Sequence, residues 1–81
     1  MIMESSKQRR QRFEKVASNR VQRILDTLNL LQNCANQNNY EYGEKDVEQM
    51  FNEINKAVKE TRTVFNNEMS KGKRHGFKFE Q

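Results

Sequence analysis

Apolar side chains recur along this chain in two runs of helical spacing. In the first, Phe13, Ala17, Val21, Ile24, Leu28 and Leu31 fall four, four, three, four and three residues apart. That spacing lays one stripe along one side of a helix. Val16 and Leu25 widen the stripe on either side. The pattern predicts a helix from about Ser6 to about Asn33, with Ser5 or Ser6 as its cap. In the second run Val47, Met50, Phe51, Ile54, Val58, Thr61, Phe65 and Met69 form the stripe, with Ala57 at its edge. Between the runs the order breaks. Asn33, Asn36, Asn38, Asn39 and Gly43 mark residues 34–43 as a loop, whose asparagines satisfy backbone groups.

The second helix is predicted over about residues 44–71. Gly43 stands at its N-cap, and Glu44 and Asp46 in its first turn suit the helix dipole. Gly72 suits the position just past the C-terminal end. Residues 1–6 and 72–81 read as flexible ends.

A short connection makes consecutive helices antiparallel neighbours. One register pairs Phe13 with Phe65, Ala17 with Thr61, Val21 with Ala57, Ile24 with Ile54, Leu28 with Met50 and Leu31 with Val47. The expected fold is therefore all-α, an antiparallel two-helix hairpin. A core of that size does not offset the ordering of the whole hairpin. Dimerisation into a helical bundle, or docking on a larger partner, is the expected remedy. Val16, Leu25, Leu30 and Val64 lie outside the central stripes and suit such a second contact.

Charge sharpens this picture. Residues 1–23 carry seven Lys/Arg and two acids, residues 24–70 carry four and eight, and residues 71–81 carry four and one. In the hairpin register the two basic ends combine into one positive pole, which seeks an anionic partner. Its candidate contacts with a nucleic acid or another polyanion are Lys7, Arg9, Arg10, Arg12, Lys15, Arg20, Arg23, Lys71, Lys73, Arg74 and Lys78. Arg9, Arg12, Arg20 and Arg23 share one flank of the first helix, with Val16 between them. Arginine suits bidentate contact with phosphate and stacking on bases. An anionic ribonucleoprotein or protein surface is another partner that the pole suits, and a solvated basic face that aids solubility is the ordinary alternative.

Other features point to chemistry only weakly. Gly76-Phe77-Lys78-Phe79 interleaves aromatics with lysine, so Phe77 and Phe79 are candidate stacking groups or protein contacts. Tyr40 and Tyr42 in the loop are candidate protein contacts too, or else fold over the end of the core. Cys34 reads as a buried small apolar side chain. It has no disulfide partner in the chain, which points to a reducing, cytoplasmic setting. One Cys and one His do not make a metal site, and His75 lies far from Cys34. There is no Gly-rich phosphate loop and no cleft for paired carboxylates. The chain therefore reads as a non-enzyme without metal or cofactor. It has no apolar run long enough to span a membrane.

The run Arg12-Phe13-Glu14-Lys15-Val16-Ala17-Ser18-Asn19-Arg20-Val21-Gln22-Arg23-Ile24, with Asn33-Cys34-Ala35-Asn36 and Asn39-Tyr40-Glu41-Tyr42, resembles small helical proteins of Gram-positive mobile elements such as plasmids, conjugative elements and phages. The resemblance covers about residues 7–69 and includes no catalytic motif. It implies an accessory role: DNA processing, regulation or evasion of host defence. Two readings follow. One is a non-enzymatic accessory protein that binds nucleic-acid phosphates through the basic pole. The other is a protein-binding inhibitor of a host defence nuclease, of anti-CRISPR type, or a structural interaction subunit.

Overall fold

The computed structural model describes the backbone of residues 5–75 and the side chains of residues 5–71. Within that range the protein is all-α, with no strand. Helix α1 spans Ser6–Gln32, a short 3-10 turn follows at Asn33–Ala35, and helix α2 spans Glu44–His75. The chain divides into two units between Glu41 and Tyr42.

The start of α1 is set by four residues. Ser5 Oγ accepts from the Gln8 N–H at 3.1 Å, and Gln8 Oε1 accepts from the Ser5 N–H at 3.1 Å. This reciprocal capping box satisfies two backbone donors that the first turn leaves open. It settles the choice between Ser5 and Ser6 in favour of Ser5. At the other end the Asn33 N–H is shared between the Leu30 and Leu31 carbonyls. That sharing tightens the last turn into the 3-10 segment.

The asparagine cluster closes the turn that follows. Asn36 Oδ1 accepts from the Asn38 N–H at 2.9 Å. The Asn36 carbonyl accepts from the Asn39 and Tyr40 N–H groups at 3.1 and 3.0 Å. An Asn side chain that mimics a backbone turn is the physical basis of its preference for such positions.

Helix α2 begins with half a capping box. The Gly43 N–H donates to Asp46 Oδ2 at 2.8 Å, while Gly43 brings no side-chain acceptor in return. The Gly43 carbonyl accepts from Asp46 and Val47 at 3.1 and 3.3 Å. Tyr42 and Val47 occupy the two positions of a hydrophobic staple across this cap, and both are half-buried.

The far end of α2 differs from expectation. Gly72 does not terminate the helix, which continues to His75. No described glycine has positive φ, so Gly72 does not adopt the left-handed conformation that would break the helix there. A glycine inside a helix costs about 1 kcal/mol against alanine, which lowers helicity without forbidding it. The expected tail at 72–81 is therefore helical in its first four residues. The expectations placed on residues 1–4 and 76–81 fall outside the described residues.

Neither stripe is buried. No described residue falls in the buried class, and large apolar side chains stand open on both helices. On α1, Phe13 is 49% exposed and Ile24 59%; on α2, Val58 is 58% exposed and Phe65 51%. Ala17, Leu28, Leu31, Val47 and Ile54 are half-buried. Within each helix, caps, turns and side-chain pairs three or four residues apart give local support. Examples are Arg10 with Glu14 at 3.0 Å and Lys71 with Glu68 at 2.8 Å. Exposed pairs of this kind contribute little, because water screens them.

Because the caps carry so much of the local order, changes at them have readable effects. A Cβ built on Gly43 meets nothing within 4 Å, and its φ is not positive. Gly43→Ser is therefore expected to complete the box and stabilise the start of α2 by a few tenths to about 1 kcal/mol. Ser5→Ala is expected to destabilise the start of α1 by about 1 kcal/mol. Amide hydrogen exchange at the first turn of each helix reads both effects. Faster exchange after Gly43→Ser, or unchanged exchange after Ser5→Ala, would contradict the assignments.

Candidate anion-binding face

The basic residues of α1 do not form a uniform cloud. At 3.6 residues per turn, Arg9, Arg12, Val16, Arg20 and Arg23 occupy an arc of about 80° along one side of the helix. From Arg9 to Arg23 this face runs about 21 Å at 1.5 Å per residue. Thr27 and Leu30 continue it, and the Thr27 hydroxyl is turned onto the Arg23 carbonyl at 2.8 Å.

The electrostatics of α1 follow from where its acids sit. The helix carries only Glu14 and Asp26 against seven Lys/Arg, and neither acid lies on the arginine arc. Glu14 is held by Arg10, Nε to Oε2, at 3.0 Å. Asp26 Oδ1 accepts from Gln22 Nε2 at 2.9 Å. Helix α2 is nearly balanced by comparison, with six acids against seven Lys/Arg. The concentrated positive field therefore belongs to α1, and within α1 to the arginine arc.

The candidates identified from sequence separate into groups. Arg9, Arg12, Arg20 and Arg23 come together on the arc. Arg9 Nη2 also donates to Ser6 Oγ at 3.3 Å. Among the described residues neither the Arg20 nor the Arg23 side chain is held in an ion pair. Arg10 is engaged elsewhere, by Glu14 and by the Phe13 ring, whose centroid lies 5.8 Å from its guanidinium carbon. That distance is within cation–π range. Lys7 and Lys15 lie on other sides of α1. Lys71 belongs to α2 and donates from Nζ to Glu68 Oε2 at 2.8 Å. Lys73 and Arg74 lie in the last turns of α2 by sequence, and their side chains fall outside the description. Phe77, Lys78 and Phe79 fall outside the described residues altogether.

The loop candidates part company as well. Tyr40 is 52% exposed, so its ring is open to a partner. Tyr42 is half-buried, at the position before the Gly43 cap that a hydrophobic staple would use. Its spacing from Val47 across the Gly43 cap was the sequence signal for that position. Cys34 is exposed rather than buried, which corrects the reading of it as a small core side chain. It lies in the 3-10 turn after the α1 stripe has ended, so helical periodicity says nothing about its burial.

Among the described residues no group of three His, Cys, Asp or Glu is placed to hold a metal ion. No described helix is long and apolar enough to cross a membrane. Comparison with protein-family models, with curated proteins and with solved structures finds no match for this chain.

The Glu68 hydrogen bond, and then its charge, hold the Lys71 ammonium above its ordinary pKa of 10.5. A raised lysine pKa means that the support is complete below the ordinary value and is lost as pH rises through the raised one. The end of α2 is therefore expected to loosen only in strongly alkaline solution, and Lys71→Gln is expected to remove that transition. Carbon-detected NMR of the lysine side chain measures the titration directly; a Lys71 pKa at or below the ordinary value would refute the pairing. Cys34 is expected to react in full with a maleimide in the absence of denaturant. Protection in the native protein would show that the thiol is covered.

Proposed function

We infer that this protein is a non-enzymatic accessory protein that binds nucleic acid by placing the arginine arc of α1 on phosphates. The observation that carries this reading is the arc itself: four arginines along about 21 Å of helix with no acid among them. Duplex DNA presents one negative charge per about 1.7 Å of axis, so a ligand lying along α1 meets all four guanidiniums. Guanidinium forks pair with phosphate oxygens bidentately and keep their charge at every physiological pH. Val16 in the middle of the arc leaves an apolar spot facing the same ligand. The resemblance to small proteins of Gram-positive mobile elements agrees with an accessory role of this kind in the cytoplasm of a host cell.

A second reading is favoured by one specific observation. Tyr40 is exposed, in a loop ordered by Asn36. An ordered aromatic suits a protein-binding inhibitor of a host defence nuclease, or a structural interaction subunit. A pull-down from host lysate with and without nuclease treatment separates the two. Loss of captured material on nuclease treatment supports phosphate binding, and retention of one host protein supports the inhibitor.

Binding to duplex or single-stranded nucleic acid is expected to fall steeply with salt. Four neutralised phosphates give a log–log slope of about −3 to −4, or about 100-fold between roughly 50 and 200 mM salt. Arg20→Ala or Arg23→Ala is expected to reduce that slope by about 1 and to weaken binding similarly for all sequences. Arg10→Ala, whose guanidinium already faces Glu14, is expected to change it much less. Fluorescence anisotropy with labelled oligonucleotides measures these slopes. No binding at about 50 mM salt, or an equal loss from Arg10→Ala, would reject the arc as the interface.

A further inference from the structure

Helix α2 presents a second surface, distinct from the arginine arc and independent of it. Val47, Phe51, Ile54, Val58, Thr61 and Phe65 are separated by four, three, four, three and four residues. That alternation averages 3.5, the period of a seam between supercoiled helices. The stripe covers about 27 Å of helix, and it is open: Phe51 is 43% exposed and Val58 58%. Its one polar member brings no unmet group, because the Thr61 hydroxyl donates to the Ala57 carbonyl at 2.8 Å.

In heptad terms Phe51, Val58 and Phe65 take the a positions, and Val47, Ile54 and Thr61 the d positions. Met50, Ala57 and Val64 line one edge of the seam. Glu48, Asn55 and Arg62 line the other. Laid antiparallel on a copy of itself, the stripe matches a with d in every layer. Val47 lies opposite Phe65, Phe51 opposite Thr61, and Ile54 opposite Val58, each layer occurring twice by symmetry. The same register determines both edges. On one, Ala57 faces its own copy at the two-fold axis and Met50 faces Val64. On the other, Asn55 faces its own copy and Glu48 faces Arg62, again twice. One edge is thus apolar with its smallest side chain at the crossing, and the other pairs opposite charges.

The parallel arrangement lacks these matches. It sets Phe51 on Phe51 and Phe65 on Phe65, places Arg62 against Ala57, and leaves Glu48 without Arg62. It also aligns the two helix dipoles, which the antiparallel arrangement opposes. Self-complementarity of a patch about a two-fold axis is the requirement for a closed dimer.

We propose that the α2 stripe binds a second copy of this chain in the antiparallel register centred on Ala57. The interface is isologous, and its Glu48–Arg62 pairs select orientation rather than supply most of the affinity. Val58 contributes to the seam twice, so Val58→Glu is expected to weaken self-association by about 100-fold or more. Arg62→Glu is expected to weaken it by roughly tenfold, and adding Glu48→Arg to the same chain restores it.

The test uses the full chain with Cys34→Ser and single new cysteines, oxidised and read by denaturing electrophoresis. Ala57→Cys is expected to give a disulfide-linked dimer and Thr61→Cys none. A mixture of Glu48→Cys and Arg62→Cys chains is expected to cross-link, while neither does so alone. Cross-linking of Thr61→Cys without Ala57→Cys would mean a parallel pair and overturn the register. A dimer in which neither position cross-links would place the interface elsewhere. Sedimentation equilibrium showing a monomer up to about 1 mM would mean that no second copy covers the stripe. Because none of these readouts involves nucleic acid, failure here and failure of the phosphate-binding reading are told apart.

Discussion

A polypeptide becomes ordered only where something offsets the conformational entropy it gives up, on the order of 1–2 kcal/mol per residue for the backbone alone. In most domains a buried interior supplies the offset. Here no described residue is buried, and this constraint governs the rest of the molecule. Order has to come from terms that act within a few residues of one another, and the apolar surface that would fill an interior remains available to other surfaces.

The local terms are well placed. The Ser5–Gln8 box starts α1, the Asn36 turn closes the loop, and Asp46 accepting from the Gly43 N–H starts α2. Isolated helices shorter than about 12–15 residues are marginal in water, and longer ones gain from cooperativity. Both helices exceed that length, at 27 and 32 residues. Length and capping therefore account for helices that persist with their apolar faces open. Large apolar side chains exposed along a helix are the kind of surface that meets a partner. The antiparallel self-match of α2 follows from that unmet area together with the order of residues along its edges.

Function divides along the same lines. The arginine arc gathers charge on a helix whose two acids lie on other sides, one tied to Arg10 and the other to Gln22. The α2 stripe gathers apolar area on a helix of nearly balanced charge. The two proposals, phosphate binding and self-association, thus rest on different elements.

Much of this was legible in the sequence because its causes are local. Helix positions follow from the spacing of Phe13 to Leu31 and of Val47 to Met69. A serine cap at residue 5 or 6, the turn at the asparagines and the start of α2 near Glu44 follow from side chains that bond to nearby backbone groups. The arginine arc follows from periodicity alone. What the three-dimensional structure decided concerns burial and the reach of each element. Cys34 is exposed, although small apolar side chains are usually inside, because its surroundings depend on the turn and not on the helical stripe. Helix α2 runs through Gly72 to His75, because cooperativity over a long helix outweighs one residue's weak propensity. Arg10, which periodicity already sets off the arginine arc, meets Glu14 and the Phe13 ring. Periodicity says which side chains share a face; only the tertiary structure decides whether that face is covered, because burial is set by groups distant in the chain.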